Sequence, residues 1–213
     1  NLDLIYGAHG ETLESWERTL AETIALAPEH VSAYALTIEP ATPLGRLVAR
    51  GDVPEPDPDT QADMFQLACS MLRDAGYRHY EVSNFARPGL ESRHNRAYWS
   101  GVAYLGLGNS AHSFLPPVRR GNLRDWSDYL QAVLAGRLPW EEEDYPGEAG
   151  ARMERLWLAL RNDAGLARTA LSTDAAREVV GSWEGRGLVQ RDPHRVRMTV
   201  EGWLLLDSLV LEL

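Results

Sequence analysis

The densest group of chemistry-bearing residues is His94-Asn95-Arg96-Ala97-Tyr98-Trp99, with Tyr80, Glu81, Asn84, Arg87 and Arg93 close by in the chain. A guanidinium pairs with a carboxylate in a planar fork, and aromatic rings stack on flat surfaces. The combination therefore suits a flat, carboxylated ligand. His94 can ligate a metal or shuttle a proton. The plain alternative is an arginine-rich loop packed on an acidic body.

Other candidates are more dispersed. Asp3 interrupts the apolar run Leu2 to Tyr6. An ionised carboxylate in a buried strand is costly without a partner, so Asp3 belongs either at a ligand edge, accepting from a hydroxyl or ammonium group, or on the solvated side of an edge strand. Glu39, after the second apolar run, suits the same edge or an exposed turn. Tyr6-Gly7-Ala8-His9-Gly10 and Gly106-Leu107-Gly108-Asn109-Ser110-Ala111-His112-Ser113 are glycine-bearing loops that a ligand can approach closely, and His112 sits in the second. Cys69 falls at the rim of an apolar helix face, where a thiol is structural. No catalytic triad and no Walker loop is present.

Composition narrows the classes. The chain has 213 residues, 21 basic and 31 acidic side chains and a net charge of −10; every basic residue is arginine. That balance argues against a nucleic-acid protein. A single cysteine forbids an internal disulfide and favours a reducing, cytoplasmic setting. No apolar run approaches the roughly 20 residues that span a bilayer, and the first residues lack the form of a signal peptide.

The elements that must position these residues follow from periodicity. Residues 1–6 predict a parallel-sheet strand, 12–27 a helix with Leu13, Trp16, Leu20 and Ile24 on its inner stripe, and 31–38 a second strand. Residues 59–75 predict a second helix and 77–83 a third strand. This β-α-β-α-β order is the signature of a parallel sheet with outer helices. Its loops after 6, 38 and 83 then share the carboxyl edge where such sheets bind ligands. Residues 84–121 look loop-like, with a strand at 104–108, and 126–134 predict a helix. After the acidic stretch Glu141-Glu142-Glu143-Asp144-Tyr145-Pro146-Gly147, taken as a solvated linker, the rhythm changes. Helices at 150–160 and 173–183, a hairpin through Asp192-Pro193-His194 and a last helix from Thr199 to 211 suggest a winged-helix module. The expected division is 1–140 and 141–213.

These stretches resemble a known family. Asn1 to Gly7 followed by Glu11-Thr12-Leu13-Glu14-Ser15-Trp16 is similar to the rear of a radical S-adenosylmethionine (SAM) barrel, specifically of the oxygen-independent coproporphyrinogen III oxidase-like proteins. Four further motifs agree in order: Val31 to Tyr34 with Thr37 to Pro40, Gly76 to Ala86, Ser92 to Trp99, and Tyr104 to Gly106 with Ala111 to Ser113. The His-Asn-x-x-Tyr-Trp stretch points to the family's heme chaperone branch, usually called HemW. The resemblance implies the C-terminal part of a TIM-like partial β/α barrel followed by a small winged-helix-like α+β domain. It implies SAM and a [4Fe-4S] cluster in the intact protein, and heme or a porphyrinogen as ligand or cargo. It places Asp3 at the barrel's carboxyl edge holding SAM, with Thr37 and His112 in segments lining the cofactor region. His94, Asn95, Tyr98 and Trp99 form the chaperone motif, and the charge of Arg87, Arg93 and Arg96 would suit porphyrin propionates.

The chain departs from the family in lacking a CxxxCxxC loop, and in carrying Ala8-His9 where Leu-Pro is usual. It is therefore expected to be a C-terminal fragment, inactive alone and open to dimerisation along its first strand, with a heme-acceptor protein as partner of the intact form. Three other readings compete. One is a true coproporphyrinogen oxidase that decarboxylates propionates. A second is a DNA-binding wing built on Arg186, Arg191, Arg195 and Arg197. The third is a metal hydrolase using His94, His112, Asp3 and Glu39.

Overall fold

The opening apolar run forms strand β1 (Leu2–Tyr6) in the computed structural model, which describes residues 1–213 apart from the side chain of Glu142. Helix α1 (Leu13–Ala25) follows, started by a capping box. Thr12 accepts from the Ser15 N–H at 3.1 Å, and the Ser15 hydroxyl accepts from the Thr12 N–H at 2.9 Å. Its inner stripe packs on helix α3 (Pro58–Asp74), and the Trp16 indole donates to the Met64 carbonyl at 2.9 Å. Strand β2 (His30–Ala35) lies parallel to β1, with Asp3 opposite Ser32 and Ile5 opposite Tyr34. A helix the periodicity did not reveal, α2 (Pro43–Ala49), fills the connection; Thr42 caps it and proline opens it.

The third strand departs from expectation. Residues 77–83 do not form one parallel strand; the chain makes β3 (Arg78–Glu81), turns, and returns as β4 (Asn84–Ala86). The sheet order is β1-β2-β4-β3, with β4 antiparallel to both neighbours. β3 thus runs in the same direction as β1 and β2 without touching β2. The carboxyl ends of all three, and the start of β4, share one edge of the sheet.

Helix α4 (Arg93–Ser100) takes the stretch that looked like a loop. Ser92 caps it by accepting from the Asn95 N–H at 3.2 Å, and Gly101 ends it at φ +68°. A second sheet comes next: β5 (His112–Leu115), β6 (Val118–Asn122), helix α5 (Trp126–Leu134), then β7 (Trp140–Asp144). The acidic stretch is therefore not a solvated linker. Its acids sit in β7 opposite the arginines of β6, Asp144 across from Arg119 and Glu143 across from Arg120, whose Nε lies 2.9 Å from the Glu143 carboxylate. Opposite charges facing each other across strands explain why so acidic a run pairs. The strand expected at 104–108 reduces to a single bridge between Tyr104 and Phe114.

The tail comprises α6 (Gly147–Leu160), β8 (Leu166–Ala167), α7 (Asp174–Gly185), the hairpin β9 (Val189–Arg191) and β10 (Arg195–Met198), α8 (Val200–Leu204) and α9 (Leu206–Leu209). The predicted last helix is broken at Leu205, whose φ of −110° and ψ of 3° leave the helical region. The order β8-β10-β9 with flanking helices is winged-helix-like.

Two cores result. One gathers Trp16, Leu20, Val31, Met64, Leu72 and Phe85; the other gathers Leu160, Val180, Trp183, Val196 and Leu209. Trp203 packs against both and donates to the Leu160 carbonyl at 2.9 Å. His79 lies at this seam, stacked 4.1 Å from Phe85 and edge-on to Trp203 at 4.3 Å, its Nε2 3.0 Å from the Val82 carbonyl. Burial pushes the imidazole down to about 4, so the folded state holds it neutral. Its contribution is complete above pH 6.5, where the unfolded imidazole is also neutral. It is lost as pH falls from 6.5 towards 4, by about 3 kcal/mol in total. Denaturant titrations at pH 7 and pH 4.5 should show this loss, and His79→Phe, which keeps a ring, should lack most of it. Equal pH dependence in the two proteins would contradict the assignment.

Candidate functional site

Where the two cores meet, a cavity of about 550 Å³ opens at the carboxyl edge of the first sheet. That volume lies inside the roughly 300–1,000 Å³ typical of small-ligand sites. Helix α4 contributes Asn95, Tyr98 and Trp99; the sheet edge contributes Tyr34, Glu81 and Asn84. The β5–β6 hairpin brings Phe114 and Arg119, and α6 brings Glu154, Trp157 and Arg161. The walls thus mix aromatic rings with polar and charged groups in similar numbers.

Helical spacing explains the α4 contribution. Asn95, Tyr98 and Trp99 are three and four residues apart, so one face carries all three. The Asn95 amide donates to the Tyr80 hydroxyl at 3.4 Å, and that hydroxyl is 2.7 Å from His30 Nε2. Tyr98 meets Tyr104 edge-on at 4.7 Å. Arg161 is held between two indoles, its guanidinium carbon 5.0 Å from the Trp99 ring centre and 4.6 Å from that of Trp157. Arg119 lies over Phe114 at 4.9 Å and pairs with Glu154.

The cavity floor is polar. Glu81 is 1% exposed and accepts from the Asn84 amide; burial raises its carboxyl above the usual carboxylate range. Asn84 Oδ1, Trp99 Nε1 and Arg161 Nε are buried without a hydrogen-bond partner. Such groups cost free energy unless something pairs with them, and all three belong to residues lining this one cavity.

The predicted site residues divide sharply. Asn95, Tyr98 and Trp99 come together here. His94 is exposed and does not line the cavity; it stands one turn before Tyr98 and edge-on to it at 4.7 Å. Arg96 turns away and is engaged inside the chain, 3.2 Å from Asp163 and 3.7 Å from Glu91. Arg93 is exposed and does not line the cavity. Arg87 follows the far end of β4, over the Tyr77 ring at 4.8 Å, on the opposite edge of the sheet. The three arginines expected for a carboxylated ligand therefore do not reach the cavity; Arg119 and Arg161 do.

Asp3 lies apart from the cavity. It is the second residue of β1, exposed on the sheet face opposite α1 and α3, at the amino end of the strand and not at the carboxyl edge. Hydrogen bonds from Ser32 and then Asn1 hold its carboxyl below the usual range. Thr37 is exposed past the end of β2, roughly 15 Å further along the strand direction. His112 belongs to β5 and to a separate pocket of about 240 Å³ with Asn122 and Glu141. Glu39 is exposed in the turn before α2. Asp3, Glu39, His94 and His112 do not converge, and among the described residues no group of three His, Cys, Asp or Glu side chains could hold a metal ion. The metal-hydrolase reading has no site.

Cys69 is 4% exposed in the first core, and burial pushes its thiol up to about 12. This chain's residues therefore do not fit an iron–sulfur cluster. On the proposed wing, Arg191 pairs with Glu184 and Arg197 with Asp192 at 2.5 Å, while Arg195 donates to the Gly165 carbonyl at 3.2 Å. Two of the four arginines of that reading, Arg191 and Arg197, are thus neutralised within the module, while Arg186 is exposed.

No protein-family model matches the chain. A protein named heme chaperone HemW from Mycobacterium tuberculosis (strain H37Rv) is 36% identical over 210 residues, covering 99% of this chain and 54% of that protein. HemW from Bacillus subtilis is 29% identical over 212 residues, covering 96% of this chain and 56% of that one. The mouse radical S-adenosyl methionine domain-containing protein 1, mitochondrial, is 33% identical over 231 residues, covering 100% and 52%. Among solved structures, the radical SAM coproporphyrinogen III oxidase HemN of Escherichia coli superposes with a TM-score of 0.74 at 22% identity, over 99% of this chain and 53% of that one. This chain belongs to the HemW/HemN-like radical SAM family. It spans about half the length of each of these relatives. Its fold is the C-terminal part of that family's β/α barrel with the winged-helix-like module after it. Among the described residues, no helix is long and apolar enough to cross a membrane.

Proposed function

We propose that the protein to which this chain belongs is a heme chaperone, binding heme and passing it to an acceptor protein in the cytoplasm. The observation that carries the reading is the cavity built on Asn95, Tyr98 and Trp99, in a chain similar to proteins named heme chaperone. Tyr98, Trp99 and Trp157 offer aromatic surface to a flat macrocycle, and the exposed His94, one turn before Tyr98, offers an imidazole for its iron. Nothing in the chain favours oxidative decarboxylation of coproporphyrinogen over this.

The family's SAM and cluster belong to this proposal only in part. Asp3, an ionised acceptor on an open sheet face, fits a hydroxyl or ammonium group of SAM; Thr37 and His112 are too far apart to share that site with it. SAM cleavage by a cluster would supply a radical, but this chain holds no ligands for the cluster, and no step is assigned through it. We also place the module boundary expected near residue 140 a few residues later, after β7 ends at Asp144, because that strand pairs with β6. Self-association along the free edge of β1 is a further expectation, readable in sizing chromatography.

Heme titration of the intact protein tests the reading. His94→Ala is expected to weaken binding about tenfold and to shift the Soret band. Unchanged affinity together with an unchanged spectrum would remove His94 from the site.

A further inference from the structure

Resting on the heme reading above, we propose that Trp99 and Arg161 form a carboxylate subsite inside the cavity, taking one propionate of the tetrapyrrole. Trp99 Nε1 and Arg161 Nε are both N–H donors, both buried, and both without a partner. They are neighbours, since the guanidinium lies 5.0 Å from the Trp99 ring centre. Two unpartnered donors on residues in contact call for a group that only accepts, and an ionised carboxylate has two oxygens and no hydrogen to place.

The surroundings favour charge in the ligand. Arg161 is pressed between indoles, and its nearest carboxylate, on the exposed Asp207, is 3.7 Å away and touches only Nη1. The same Asp207 already accepts from the Trp157 indole at 2.8 Å. The other acid nearby, Glu81, is engaged by the Asn84 amide. Asn84 Oδ1, on a side chain 4% exposed, is left as an acceptor for a water or a protonated group at the cavity floor. The two donors also come from different elements, Trp99 from α4 and Arg161 from the residue that caps the end of α6. A bound carboxylate would therefore bridge the barrel part and the tail.

The test compares hemin with its dimethyl ester, which keeps the macrocycle and iron but has no ionised carboxylate. The intact protein should bind hemin at least about tenfold more tightly than the ester. Trp99→Phe keeps an aromatic ring and removes the N–H; it should weaken hemin about tenfold more than it weakens the ester. Equal affinity of the wild type for both ligands overturns the subsite while leaving heme binding intact. Equal loss of both ligands in Trp99→Phe does the same, because the indole would then act only as a surface. Failure of hemin itself to bind the wild type removes the heme reading and the subsite with it. Should the variant fold poorly, the wild-type preference decides alone.

Discussion

Iron–sulfur reconstitution of this 213-residue chain should yield no 5′-deoxyadenosine from SAM under reducing conditions. The reason is stoichiometric before it is structural. A cubane cluster is held by several thiolates, and the chain has one cysteine. That cysteine is unavailable as well. Cys69 packs beside Phe65 and Leu72 in the first core, its thiol pushed up to about 12 by burial, and its sulfur approaches only His79 Nδ1, at 3.7 Å. Forming a thiolate there would cost the desolvation of an anion with no compensating cation in contact. Product analysis by mass spectrometry after reconstitution is the measurement. Any turnover above a cluster-free control would mean the chain assembles a cluster by a route the structure does not contain.

Truncating Trp203 should destabilise the chain by about 3 kcal/mol, among the largest losses expected from a single change. Its ring is shared between the two cores, meets His79 edge-on at 4.3 Å, and donates to the Leu160 carbonyl at 2.9 Å. Trp203→Ala removes apolar contact from both sides of the seam at once and leaves that carbonyl without its donor. Trp126→Ala, at an indole 59% exposed on α5, should cost less than about 1 kcal/mol and serves as the control. Chemical denaturation of both variants separates the cases. A cost for Trp203→Ala no larger than the control's would mean the cores hold together by other contacts.

The site was partly legible in the linear sequence, and the reason is local. Asn95, Tyr98 and Trp99 fall within one helical turn and a half, so their shared face follows from spacing once a helix is granted. The helix itself was missed because its residues are polar and aromatic with no buried stripe; Ser92 before it and Gly101 after it were the available signals. The same holds for α2, announced only by Thr42-Pro43. Arg161 and Trp157 carried no mark of function, because on α6 they look like one more pair of an amphipathic helix. Only the docking of α6 against α4 brings them to the cavity.

Amino-acid order by itself determined the family, the strand–helix alternation of the first 75 residues, the winged tail and the absence of cluster ligands. Each of these depends on residue identity or on periodicity within one element. Tertiary structure alone decided that β4 inserts between β2 and β3, that the acidic stretch is a paired strand, and that Arg87, Arg93 and Arg96 miss the cavity which Arg119 and Arg161 enter. Those outcomes depend on which distant faces and charges meet, and a guanidinium goes to whichever carboxylate or ring the fold brings within reach: Asp163 for Arg96, Tyr77 for Arg87, and the two indoles for Arg161.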